Sequence, residues 1–285
     1  MNMQILHTVP EIVAFRKAAQ AAGKTIGLVP TMGALHEGHI TLMRAARAAC
    51  DVVIASVFVN PVQFGPHEDF DKYPRTFAAD CEKLEAAGVD AVFHPEPADM
   101  YPEGYCTYVN VEGDIVHKLC GAQRPGHFRG VATVVTKLIN LSGADEAYFG
   151  QKDAQQVVVV RRFVEDLNLP VHINMVPIVR EPEGLARSSR NRYLSPAEKT
   201  AALVLFRSLK KARAAFDNGE RDTSKLKQIV RDELATEKLA VIDYVELNAF
   251  PSLKPLPVVN QDALLAIAVK IGKTRLIDNI ILEAR

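Results

Sequence analysis

From residue 1 to residue 176 the chain alternates short runs rich in valine and isoleucine with longer stretches of helical periodicity, and this alternation constrains the fold more than any other feature. Apolar runs without polar interruption belong to strands covered on both faces, the condition of a parallel sheet flanked by helices. The runs predict strands at Ile26–Val29, Asp51–Phe58, Ala91–Phe93, Ala147–Phe149 and His172–Val176. Between them the periodicity predicts helices at Gly38–Cys50, Thr76–Ala87, Gly130–Leu141 and Asp153–Leu167. The expected architecture is α/β: a Rossmann-like parallel sheet domain over residues 1–176.

The pattern changes at Pro177–Gly184, where two prolines and a glycine break both periodicities and mark a domain boundary. Beyond it, helices at Pro196–Phe216 and Thr223–Ala235 precede alternating segments at Ile242–Asn248, Leu264–Val269 and Thr274–Ile281. The short glycine-containing turn at Ile271–Lys273 suits a hairpin, so residues 177–285 read as a second, smaller α+β domain with an antiparallel sheet.

Composition narrows the partners. The chain has 285 residues and 34 basic against 34 acidic side chains, so no global field draws it to nucleic acid or an anionic membrane. A small-molecule partner is the better expectation. Cys50, Cys81, Cys106 and Cys120 are widely spaced, without a CxxC pair or histidines at zinc-finger spacing, and read as reduced thiols of a cytoplasmic protein. The first twenty residues lack the basic start and apolar run of a secretory signal, and no segment reaches the length of a membrane span.

Chemistry concentrates where strands end. Val29-Pro-Thr-Met-Gly-Ala-Leu-His-Glu-Gly-His39 lies between the first predicted strand and the first long helix, at the carboxyl edge of the sheet where open α/β folds bind ligands. Gly33 and Gly38 permit close backbone approach, and the free N–H groups of the helix start suit anionic oxygens. His36 and His39, three residues apart, share a face if both lie in the first turn. One imidazole then serves as proton donor or charge stabiliser. Phe58–Phe64 (FVNPVQF) brings Asn60 and Gln63 to the same edge, and side-chain amides suit a hydroxy acid. Arg124–Val131 (RPGHFRGV) offers His127 and two arginines, Arg124 and Arg129, in a Pro-Gly loop before a helix. Gly150–Asp153 and Gln156 follow a strand. Lys152 there is suited to phosphate charge, and Asp153 to a ribose hydroxyl or to capping a helix. Leu185–Asn191 (LARSSRN) places two hydroxyls and arginines in a loop able to close over a triphosphate. Asp69, Asp71 and Asp80 are weaker candidates for magnesium.

PTMGALHEGH, FVNPVQF, RPGHFRGV, FGQKDAQQ and LARSSRN together resemble the pantothenate synthetase (pantoate–beta-alanine ligase) family of the HIGH-motif nucleotidyltransferase superfamily, in the right order along almost the whole chain. The resemblance implies ATP contacts from Met32, Gly33, Ala34, Leu35, His36, Glu37, Gly38 and His39, from Gly150, Gln151, Lys152 and Asp153, and from Val179, Arg187, Ser188, Ser189 and Arg190. It implies pantoate or beta-alanine contacts from Gln63, Gln156 and Asn60, with His39, His36 and Lys152 catalytic. It further implies magnesium carried with ATP, a homodimer, and Cys106–Val111 as a strand pairing across the subunit interface. Arg187 stands where the family pattern has methionine, and its guanidinium is able to stack on adenine instead. The expected reaction is ATP-dependent ligation of pantoate and beta-alanine through an acyl adenylate. An adenylyltransferase that keeps AMP on its product is the near rival, told apart by release of free AMP. A non-catalytic nucleotide- or RNA-binding module is the distant one, disfavoured by balanced charge.

Overall fold

A computed structural model describes residues 3–66 and 68–284. In chain order the elements are β1 (Gln4–Leu6), α1 (Val9–Ala21), β2 (Ile26–Thr31), α2 (Glu37–Ala49), β3 (Val52–Val57), α3 (Phe77–Ala86), β4 (Ala91–Phe93), α4 (Pro97–Met100), α5 (Leu119–Gln123), α6 (His127–Ser142), β5 (Glu146–Gly150), α7 (Ala154–Asp166) and β6 (His172–Val176). There follow α8 (Pro196–Asp217), α9 (Thr223–Leu234), β7 (Ala240–Ala249), β8 (Ala263–Ile271) and β9 (Thr274–Leu282).

Among the described residues β1 to β6 form one parallel sheet in the order β1-β4-β3-β2-β5-β6. Period-two alternation splits its side chains between two cores. Ile26, Leu28, Val52, Ile54 and Phe93 face α1, α6 and α7, whereas Val29, Val53, Ala55, Val57 and Val92 face α2 and α3. Each fully buried valine, leucine, isoleucine or phenylalanine among them stabilises the fold by about 1.5–3 kcal/mol relative to exposure. From β2 the chain proceeds to β3 and β4 on one side, while β5 and β6 lie on the other. The switch point therefore falls between β2 and β5, and the loops leaving these two strands carry the first and fourth motifs.

The second sheet is antiparallel, β7-β8-β9, with α8 and α9 against it over a separate apolar core. Ser195 and Glu198 form a reciprocal capping box at the start of α8, with Pro196 in the first turn, which fixes where that helix begins. The chain divides into two compact units. One comprises Met1–Val116, Cys120–Gln151 and Gln155–Pro177; the other comprises His117–Leu119, Lys152–Ala154 and Ile178–Arg285. The second unit thus takes in two short segments that a single cut at residue 177 leaves out.

Local structure departs from the periodicity in three places. β1 and α1 have no counterpart in the periodicity reading, although Thr8 and Glu11 form a capping box with Pro10 beside it, a signal readable in the sequence. The 106–111 segment has no ladder partner among the described residues of this chain, and Val109 N–H donates to Thr133 Oγ1 of α6. Finally, α6 begins at His127 behind a left-handed Gly126, so His127 and Arg129 stand in its first turn and not in a loop.

Candidate active site

The loop after β2 is held in an uncommon backbone shape. Thr31 Oγ1 donates to Ser56 O (2.6 Å) and accepts from Gly33 N–H (3.2 Å). Gly33 has φ +81°, and a Cβ there would lie 3.0 Å from Val57 Cγ1 and 3.1 Å from Asp80 Oδ2. Ala34 also has positive φ, at 51°, which is rare for a residue with a Cβ. Asp80, 0% exposed in the first turn of α3, holds this shape. Its Oδ2 accepts from Ala34 N–H (2.9 Å) and the Thr76 hydroxyl (3.0 Å), and its Oδ1 from Leu35 N–H (2.8 Å). Lys83, one turn later, donates to Leu35 O (2.8 Å). Charge-assisted bonds of this kind offset a backbone strain of about 1–3 kcal/mol. Both oxygens of Asp80 are thus engaged in holding the loop. No group of three or more His, Cys, Asp or Glu among the described residues is arranged to hold a metal ion.

His36 is the N-cap of α2 and His39 lies in its first turn, with ring centroids 4.0 Å apart and planes inclined by 31°. His36 N–H donates to His39 Nδ1 (3.3 Å). In the neutral ring this places the proton of His39 on Nε2, making that nitrogen a donor. The pair stands at a helix N-terminus, where the partial positive charge of the backbone favours anions.

Gln63 is caged. The Asn60 amide donates to Gln63 Oε1 (3.1 Å) and Gly130 O (3.2 Å), while Asn60 Oδ1 accepts from the Tyr101 hydroxyl (2.8 Å) and Val62 N–H (3.4 Å). Burial pushes the Tyr101 phenol above its ordinary range and keeps it a donor. Asn60 is only 1% exposed and its hydrogen-bonding capacity is filled within the chain, so here it positions Gln63. Gln63 Nε2 lies 3.1 Å from Met32 Sδ. On the backbone side, Gln63 O accepts from His127 Nδ1 (3.0 Å), and His127 Nε2 faces Arg124 Nη1 (2.9 Å). Arg124 makes a bidentate pair with Glu68 at 2.6 and 2.7 Å. Burial pushes the Glu68 carboxyl up, but the hydrogen bonds and charge of Arg124 outweigh it and hold it below the usual range. Arg124 is thus committed to an internal carboxylate, and Arg129 is exposed with its guanidinium 3.9 Å over the Tyr108 ring.

After β5 a 3-10 turn, Gln151–Asp153, leads into α7. The Lys152 ammonium lies 3.3 Å from Asp153 Oδ2. The adjacent glutamines divide their work. Gln155, 6% exposed, accepts from Cys120 N–H (2.9 Å) and donates to Ile115 O (2.8 Å), whereas Gln156 is half-buried.

In the second unit, Arg187 N–H donates to Val179 O (3.0 Å) and closes the excursion between them. Ser188 caps a 3-10 turn at Ser189–Tyr193, its Oγ accepting from Arg190 N–H (3.3 Å). Asn191 donates to Ala186 O (3.1 Å) and Glu181 Oε1 (3.2 Å), and Lys199 pairs with Glu181 (2.7 Å). Burial raises the Glu181 carboxyl, and the bonds from Lys199 and Asn191 more than reverse it. Arg187 Nε is buried and finds no acceptor among the described residues.

A doubly covered parallel sheet, with a histidine pair on a helix N-terminus beside its switch point, defines an α/β protein built to bind nucleotide phosphates. The model of the pantoate-beta-alanine ligase family matches residues 4–281. The chain is 58% identical over 280 residues to the pantothenate synthetase of Pelotomaculum thermopropionicum, covering 98% of this chain and 99% of that one. It is 54% identical to that of Heliobacterium modesticaldum, covering 99% and 100%. The crystal structure of pantothenate synthetase from Thermus thermophilus superposes with a TM-score of 0.93 at 44% identity, over 98% of this chain and 99% of its own. The Francisella tularensis ligase, solved with beta-gamma ATP and beta-alanine, gives 0.81 at 33% identity, over 98% and 97%. The chain belongs to the pantoate–beta-alanine ligase family, and it is an ATP-dependent ligase.

Proposed function

We propose that this chain joins pantoate to beta-alanine in two displacements. A pantoate carboxylate oxygen attacks the α-phosphorus of ATP, breaking the bond to pyrophosphate and forming pantoyl adenylate. The beta-alanine nitrogen then attacks the acyl carbon, AMP departs with the bonding electron pair, and the nitrogen loses a proton to give pantothenate. Residues 1–176 bind nucleotide and pantoate, and residues 177–285 supply the serine–arginine loop. The observation that carries the reading is the His36–His39 pair at the head of α2, where His39 Nε2 is a donor suited to the negative charge that grows on the leaving pyrophosphate.

Within this reading the backbone from Met32 to His39 lines the phosphates, and Lys152 neutralises developing charge together with Ser188, Ser189 and Arg190. Gly150, Gln151, Asp153 and Val179 meet the nucleoside. Arg187, whose Nε is a buried donor in need of an acceptor, lies against the adenine. Gln63 and Gln156 bind pantoate and beta-alanine. Magnesium arrives with ATP and supplies charge neutralisation at the phosphates. No helix among the described residues is long and apolar enough to cross a membrane. The protein works in the cytoplasm as a homodimer, and on small molecules instead of nucleic acid, the last part supported by its balanced charge.

Pyrophosphate exchange into ATP tests the first step. Exchange is expected with pantoate present and the amine omitted. Exchange that persists without pantoate, or never appears with it, overturns the proposal.

A further inference from the structure

We infer that Asn279 is a positioning residue for Lys152, and that β9 ties the lysine and the serine–arginine loop into one assembly within the second unit. The inference rests on the proposed role of Lys152 at the phosphates. Strand β9 carries two adjacent polar residues, Asp278 (2% exposed) and Asn279 (3% exposed), where a strand packed on an apolar core would ordinarily bury only hydrophobic groups. Neighbouring residues of a strand project to opposite faces, so the two reach different partners.

Asp278 points into the face shared with α8. Arg180 grips it with two parallel bonds, Nη1 to Oδ2 (2.7 Å) and Nη2 to Oδ1 (2.9 Å). The same guanidinium lies 3.7 Å over the Phe206 ring and donates to Gly184 O (3.1 Å). Arg180 thereby pins the base of the segment that continues, through the Arg180–Ala186 bridge, into Ser188–Arg190. On the other face, Asn279 Nδ2 donates to Lys152 O at 3.0 Å, across 127 positions of sequence. Its own backbone N–H bonds Asp278 Oδ1 (2.7 Å), so the two side-chain anchors are coupled through a single peptide.

The consequence for Lys152 is directional. Its side chain leaves a short 3-10 turn, a conformation with poorer hydrogen bonds than an α-helix, and an extra bond on its carbonyl fixes the backbone from which the ammonium is aimed. An amide donor on β9 is therefore needed for alignment, whereas ordinary β-sheet packing at that position would be served by any small residue.

The test is a double-mutant cycle on the pantoate-dependent exchange reaction in the full-length protein, with Asn279→Ala, Lys152→Ala and both together. Asn279→Ala is expected to slow exchange about 10- to 100-fold. It should leave amine transfer from supplied pantoyl adenylate near normal, and the double variant should be no slower than Lys152→Ala alone. Asn279→Asp, which keeps the shape but removes the donor, should behave like Asn279→Ala and covers the case in which the alanine variant fails to fold. Multiplicative losses in the cycle, or normal exchange in a folded Asn279 variant, overturn the inference. Normal exchange in Lys152→Ala instead overturns the role given to the lysine, and the two failures are read from different arms.

Discussion

Replacing Gly130 with alanine sets two effects against each other. By helix propensity alone the change should stabilise α6 by about 1 kcal/mol. The new Cβ, however, would lie 2.6 Å from Gln63 Cα and Val62 O and 2.7 Å from Gln63 N. None of these atoms is the end of a flexible side chain, so backbone must separate by about 0.8 Å to reach ordinary contact, and overpacking of this kind costs about 1–3 kcal/mol. The clash therefore wins. Its victim is the turn that presents Gln63, since Gly130 O is also an acceptor for Asn60. A misplacement approaching 1 Å lowers a well-aligned reaction by about 100-fold, or roughly 2.7 kcal/mol of barrier. The assay is pantoate-dependent exchange with KM measured separately for pantoate and ATP, alongside thermal unfolding. Pantoate kinetics should deteriorate while ATP KM stays near wild type, and the unfolding temperature should fall. Wild-type pantoate kinetics in Gly130→Ala, with Gln63→Ala impaired, would show that α6 does not set the position of Gln63.

Other outcomes follow from the same contacts. Asp80→Asn keeps the shape but opposes an amide to two backbone N–H donors, at about 1–3 kcal/mol for the buried group left unsatisfied; a lower urea midpoint and a raised ATP KM are expected, and a variant unchanged in both would remove Asp80 from the loop's support. Lys152→Ala should raise the barrier to adenylate formation by about 3 kcal/mol, and normal turnover would take the lysine out of the mechanism. Glu68, held below the usual carboxylate range, contributes stability that is complete above the unfolded value of about pH 4.3 and is lost as pH falls through its lower folded value. Glu68→Gln should therefore flatten the acid limb of a stability–pH curve, and an unaltered slope would mean the Arg124 pair contributes nothing there.

The parallel sheet is legible in the chain because doubly covered strands write themselves as short apolar runs, most plainly in β3 (VVIASV) and β4 (AVF). The antiparallel hairpin of β8 and β9 is legible through its Gly272–Lys273 turn. The histidine pair is legible as well, since its geometry is set by residues three apart on one helix. What the sequence hides is support across distance. Asp80 reaches Ala34 across 46 positions and Asn279 reaches Lys152 across 127, and no local periodicity records either contact. The partners of Asn60 are hidden for the same reason: Tyr101 and Gly130 lie 41 and 70 positions away. Within the chain, the partner for Val109 of the strand-like 106–111 segment is a threonine on a helix, 24 positions away.

The caged amide of Gln63 has a consequence for selectivity. Asn60 donates to its oxygen, so the group cannot rotate end for end without setting two donors against each other. With one hydrogen of Nε2 directed at the sulfur of Met32, the polarity offered to an incoming molecule is locked as N–H. A guest bearing an oxygen acceptor at that point is welcomed, and one bearing a donor meets a surface that cannot turn to accommodate it.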